Sequence, residues 1–229
     1  MGIGRATVDG LLPVGRKVAP KLSSGYVRGV LEYAIDGLGP IRPAAAAADD
    51  QLALAGGDVE ASISALTNQH IRYAAAQGFV TNLGGVATMA VSVPANVTGV
   101  AVVQCHLAAG IVHLRGYDLT DPRVRNAIVA CLLGEDAVRE MIKQGRLPGT
   151  PMLLATSPVH DPVLDNRVAS AVTTELFGKV TGRRAALLVS RKIPLLGGGV
   201  GAATDSWSTY EIGRYVAEQM RDRRHTGSS

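Results

Sequence analysis

Between Arg72 and Arg115 the chain carries no Asp, Glu, Lys or Arg. Such a stretch needs surroundings that demand no charge, and it is long enough to cross a bilayer twice. It is also too polar for an easy span, holding Gln77, Asn82, Asn96, Gln104, His106 and His113, with Pro94 near its middle. Each half around Pro94 has about 20 residues, close to the spanning length. Yet both halves are rich in Ala, Val and Gly rather than Leu and Phe, and no aromatic belt flanks them. The expectation is a helical hairpin buried inside the protein. An amphitropic or re-entrant hairpin and a true double span are the alternatives.

Hydrophobic residues make up 47% of the 229 residues, but aromatics only 4%. A core built from Ala, Val, Leu, Ile and Gly favours helices that approach closely, because small side chains let backbones come together. Period-two alternation is hard to find. The fold expected is all-α, a single multi-helix domain with Gly-rich apolar helical hairpins at its centre. An N-terminal arm over 1–22, the helical domain over 23–222 and a basic, polar tail over 223–229 divide the chain.

Helical spacing of Val27, Val30, Leu31, Ala34 and Ile35 predicts a first helix over 26–38, stopped by Gly39 and Pro40. The run Ala44 to Ala48 predicts a second, ended by Gly56 and Gly57. Asp58 is a good N-cap for a third, running to about Gln77 with Ile63, Leu66, His70 and Tyr73 on one face. Pro94 is expected to split the uncharged region into helices over 83–93 and 95–114. Asp121-Pro122 supplies a cap and a favoured first residue for the next helix, and 135–144 forms another. Residues 145–165, with Pro148, Gly149, Pro151, Pro158 and Pro162, read as the least regular, lid-like part. Helices over 166–177, 183–192 and from 195 or 199 to 221 complete the chain.

Charge is distributed unevenly although the net value is only +4. Lys179, Arg183, Arg184, Arg191 and Lys192 fall between Glu175 and Asp205 with no acid among them. Such a cluster is a solvated face or a binding surface for anionic lipid headgroups. Nucleic acid is not expected as a partner, since no stacking platform or zinc-finger signature accompanies the cluster. Cys105 and Cys131 lie in apolar context outside any CxxC pair, which fits a reducing cytoplasm. The first residues lack the apolar run and cleavage site of a signal peptide. The expected location is cytoplasmic, peripheral to the inner membrane.

The chain resembles the bacterial EcsC-like family. The resemblance is carried by Gln77-Gly78-Phe79 with Thr81 and Gly84-Gly85, then the apolar helix bearing Gln104. Gly116-Tyr117-Asp118, Asp121-Pro122 and Leu132-Leu133-Gly134 follow, then Lys192-Ile193-Pro194, Gly197, Val200-Gly201 and Ile212-Gly213. It spans roughly residues 25 to 220, and the order of these degenerate motifs is what carries it. It implies an Ala/Gly-rich helical protein named after a gene neighbour of an ABC transporter, and it implies no catalytic residues.

Among candidate chemical groups, His106 and His113 lie seven apart and so share a helix face. Their rise separation of about 10 Å is too great for one metal, and the i, i+4 spacing of a helical zinc pair is absent. With Gln104 they read as core polar groups or as the lining of a core pocket; no metal or cofactor is expected. His160-Asp161 with Asp165 is the better acid/base candidate, because His titrates near neutral pH. No GxSxG, HExxH or SxxK supports a nucleophile, although Ser157 is near in sequence. The glycines from Gly197 to Gly201 match no phosphate-binding loop and read as helix-packing residues.

Together these features point to a non-catalytic protein at the inner membrane face. The basic cluster would meet headgroups, and an apolar hairpin or groove would engage acyl chains. The alternatives are a hydrolase-like enzyme on an apolar or lipidic substrate, through His160, Asp161 and Asp165 or through Gln104 and His106, and a self-assembling scaffold.

Overall fold

The computed structural model describes residues 24–37, 42–83, 89–174 and 194–221. Among the described residues the protein is all-α, with nine helices and no strand. The arm over 1–22, the tail over 223–229, Gly39-Pro40, Gly84-Gly85, the helix expected over 183–192 and the whole basic cluster Lys179, Arg183, Arg184, Arg191 and Lys192 lie outside the described residues.

The helices are α1 (Ser24–Asp36), α2 (Ala44–Leu54), α3 (Val59–Leu83) and α4 (Met89–Leu114). They are followed by α5 (Pro122–Cys131), α6 (Glu135–Lys143), α7 (Pro151–Thr156), α8 (162–174) and α9 (Pro194–Gln219). Gly37 stops α1 in place of the Gly39-Pro40 pair: its φ of 73° ends the spiral while its N–H still reaches the Tyr33 carbonyl at 3.1 Å. Asp58 caps α3 through Ala61 N–H, as expected. That helix does not end near Gln77 but continues to Leu83, with Gly78 inside it. One interior Gly costs only about 1 kcal/mol relative to Ala, a small penalty for a helix of 25 residues that packs on α9.

Pro94 likewise fails to split the uncharged stretch, because α4 is continuous from Met89 to Leu114. A proline inside a helix removes one N–H, so a single carbonyl four residues earlier loses its helical donor while the spiral continues. The four prolines expected to make 145–165 irregular include two helix starters. Thr150-Pro151 opens α7, with Thr150 Oγ1 accepting from Leu153 N–H at 3.4 Å. Asp161-Pro162 opens α8, four residues before the expected start, and Asp161 Oδ1 accepts from Val163 N–H at 2.8 Å. Asp121-Pro122 does the same for α5, as read from the sequence.

The core centres on α4. Contacts of 66 with 110 and of 70 with 106 run in opposite directions along the two chains, so α3 and α4 are antiparallel. Gly213 lies against Thr67, and Ser206 donates to the Ile71 carbonyl at 3.5 Å, so α9 is antiparallel to α3. Helices α1 and α2 cover the remaining sides of α4, and α5 meets its C-terminal end. From Ala101 to Leu114 nearly every residue of α4 is buried. This part of the uncharged segment is apolar all round because protein surrounds it all round. No helix among the described residues is long and apolar enough to cross a membrane.

Glycine matters most at Gly110. A Cβ there would stand 2.7 Å from Leu66 Cδ2, with Ala48 Cβ and the Ala44 carbonyl behind at 3.6 and 3.7 Å. Cys105 and Cys131 are fully buried; burial pushes the Cys105 thiol up to about 12 and raises that of Cys131 further. Thiolate is the reactive species. Iodoacetamide at neutral pH should therefore leave both cysteines of the native protein unlabelled while alkylating both in denatured protein. Rapid native labelling would mean that α4 and α5 open readily.

Candidate functional site

Helices α5 and α7, the connector over 157–161 and the first turn of α8 enclose a cavity of about 230 Å³. Its walls are mainly apolar, from Pro148, Leu153, Leu154, Pro158, Val159 and Leu164. Polar groups enter from Arg123 and Asn126 on α5 and from Ser157, His160, Asp161 and Asp165. The two cap-and-proline starts hold the site in shape. Asp121 accepts from Arg123 through both carboxylate oxygens, and Arg123 holds its carboxyl below the usual carboxylate range. The same guanidinium donates to the Ser157 carbonyl at 2.6 Å, fastening the connector to α5.

Within this cleft the structure brings His160 and Asp165 together. His160 Nε2 donates to Asp165 Oδ2 at 2.6 Å, and Arg28 of α1 approaches the same oxygen at 3.7 Å. With Nε2 so engaged, neutral His160 presents Nδ1 as a lone-pair acceptor. Asp161 plays a different part: its carboxylate caps α8 through Val163 and Leu164 N–H, so it is committed to the backbone. Ser157 Oγ donates to the Val159 carbonyl at 2.9 Å and hands no proton to His160 in this arrangement. The cleft thus offers a base aligned by a carboxylate in an apolar wall, without a positioned side-chain nucleophile.

Gln104, His106 and His113 go to different partners and do not line this cleft. Gln104 Nε2 donates to Ser208 Oγ at 3.0 Å, joining α4 to α9. His113 Nε2 donates to Asp49 Oδ1 at 2.8 Å on α2. His106 meets His70 of α3 at 2.8 Å and the Arg42 carbonyl at 2.9 Å. The shared face inferred from their spacing is real for a helix, but different elements cover its two ends. Among the described residues no cluster of three metal-ligating groups occurs. Gly197 to Gly201 are helical, within α9.

A second, shallower concavity lies on the other side of α8. Its lining includes Arg146, Val163, Asn166, Arg167, Ser170 and Thr174, and among the described residues no carboxylate contributes. Arg146 makes a long contact to Gln144 at 3.5 Å. The sequence marked neither arginine, since each stands alone in the chain and only folding puts them on one concavity. Between the two clefts, Leu153, Val159 and Val163 are 53%, 71% and 59% exposed. Searches of family models, curated proteins and solved structures gave no match to the chain.

Proposed function

We propose that this is a non-catalytic, EcsC-like protein that binds an anionic membrane surface through the α7–α8 face. The observation that carries the reading is the composition of the two clefts flanking α8. On one side is an apolar cavity with Leu153 and Val159 at its rim; on the other, Val163 sits with Arg146 and Arg167 in a wall to which no acid among the described residues contributes. Isolated exposed aliphatics are ordinary. Three of them beside a concavity lined by two arginines make the kind of surface that suits the headgroup boundary, with apolar groups entering and arginines meeting phosphates. The basic cluster from Lys179 to Lys192 follows α8 in the chain and adds charge of the same sign. The buried part of α4 needs no lipid, so this reading rests on α7 and α8 rather than on the central hairpin.

Flotation of the purified protein with vesicles tests it. Vesicles containing phosphatidylglycerol should carry the protein upward at low salt and less so at moderate salt, and pure phosphatidylcholine should not. Absence of flotation with every vesicle and salt would end this reading.

One observation favours a second reading, a hydrolase-like enzyme on a small apolar substrate: the 2.6 Å His160–Asp165 pair in an apolar wall. An acid/base group contributes on the order of 100-fold or more. His160→Asn should then slow release from short-chain nitrophenyl esters by about that factor. Equal rates in wild type and variant, or no turnover at all, would remove it.

A further inference from the structure

His70 and His106 meet edge to edge in the core, with ring centroids 5.0 Å apart and their planes 26° from parallel. Both residues are buried. Three short contacts run through them in series. His70 Nδ1 lies 2.8 Å from the Leu66 carbonyl, His70 Nε2 lies 2.8 Å from His106 Nδ1, and His106 Nε2 lies 2.9 Å from the Arg42 carbonyl.

Proton counting decides what this chain of contacts means. A carbonyl oxygen only accepts, so His70 Nδ1 and His106 Nε2 must each carry hydrogen. Two neutral imidazoles supply two ring protons in total, and both are then spent on the carbonyls. His70 Nε2 and His106 Nδ1 would face each other as bare lone pairs at 2.8 Å. Moving either proton to the middle repairs that contact but leaves a lone pair pointed at the Leu66 or the Arg42 oxygen. Every two-proton arrangement leaves one of the three contacts repulsive, and three protons satisfy them all.

We propose that His70 and His106 form a buried one-proton binding site, an imidazole–imidazolium pair that joins α3, α4 and the Arg42 connector while the proton is held. Among the described residues, no carboxylate is recorded in contact with either ring. His70 is acted on by burial, the Leu66 carbonyl and His106, and His106 by burial and the Arg42 carbonyl. On α3, Tyr73 meets the His70 ring edge-on at 5.7 Å. On α2, Asp49 is engaged by His113 and Asp50 by the Arg42 guanidinium. Glu60 is engaged by Arg115, and Asp205 of α9 is buried.

Two opposing forces set the range of the site. Burial lowers both histidines, His70 to about 4, which opposes any charge here and strongly resists a fourth proton. The three hydrogen bonds favour the third proton, so the pair titrates as a unit and not as two independent rings. When the proton leaves, one contact must break. The Arg42 contact is the one whose loss frees a connector, because Leu66 and His70 are held within one helical turn regardless.

Long-range nitrogen–proton spectra of protein labelled at histidine ring nitrogens test this directly, from about pH 5 to about pH 8. The expected result is three ring protons on the pair, one shared between the rings, lost in a single step common to both residues. His106→Gln should abolish that common step and leave the remaining His70 with one ring proton throughout. Two ring protons on the pair at every pH in the folded protein would overturn the proposal, as would two separate titrations at unrelated midpoints.

Discussion

Leu66→Ala should lower stability by about 2–5 kcal/mol, the usual range for emptying a fully buried leucine site. Adding Gly110→Ala to that variant should recover part of the loss. Leu66 is wholly inaccessible, and its Cδ2 occupies the place a methyl on Gly110 would need, at 2.7 Å. In the wild-type background Gly110→Ala therefore forces Leu66 from its rotamer. With Leu66 truncated, the same methyl enters the vacated space and keeps only ordinary neighbours, Ala48 Cβ and the Ala44 carbonyl. The four proteins form a double-mutant cycle with an expected coupling of about 0.5–3 kcal/mol. Urea titrations would measure it, and additive effects would show that α2, α3 and α4 are not held at this point.

Removing both arginines of the α8 concavity, Arg146→Ala with Arg167→Ala, should weaken binding to anionic vesicles about 30-fold. The figure follows from about 1 kcal/mol per basic residue near a charged surface and about 1.4 kcal/mol per decade. Both side chains are exposed, so the variant should retain its fold, and its unfolding transition provides the control. Arg183→Glu with Arg184→Glu supplies the comparison. If that variant loses binding while the Arg146/Arg167 variant keeps it, the contact belongs to the 179–192 cluster and the α8 concavity is spectator surface.

These tests fall on residues that the sequence revealed unequally. The stripe Val27, Val30, Leu31, Ala34 and Ile35 was readable because its period matches the helix it forms, and all five are buried. Asp58 and Asp121 were readable as caps because cap chemistry is local. Pro151 and Pro162 misled because a proline's effect depends on its place within the helix. Both are first helical residues, whereas α4 runs on through Pro94. His160 and Asp165 could be nominated together because only five positions separate them. His70 could not be matched to His106, nor Arg146 to Arg167, by any pattern along the chain.

By itself, the sequence determined the all-α class of the described residues and most of their helix starts. Local backbone preference and helical periodicity act within a few residues, and they are written wherever those residues stand. Only the tertiary structure decided that α4 is sheathed by α1, α2, α3 and α9, and that its histidines reach different partners. It alone put an apolar cleft and a cationic one on opposite sides of α8. Those outcomes depend on which faces of distant helices meet, and that is fixed by the fit of side chains such as Leu66 against Gly110 rather than by any local rule.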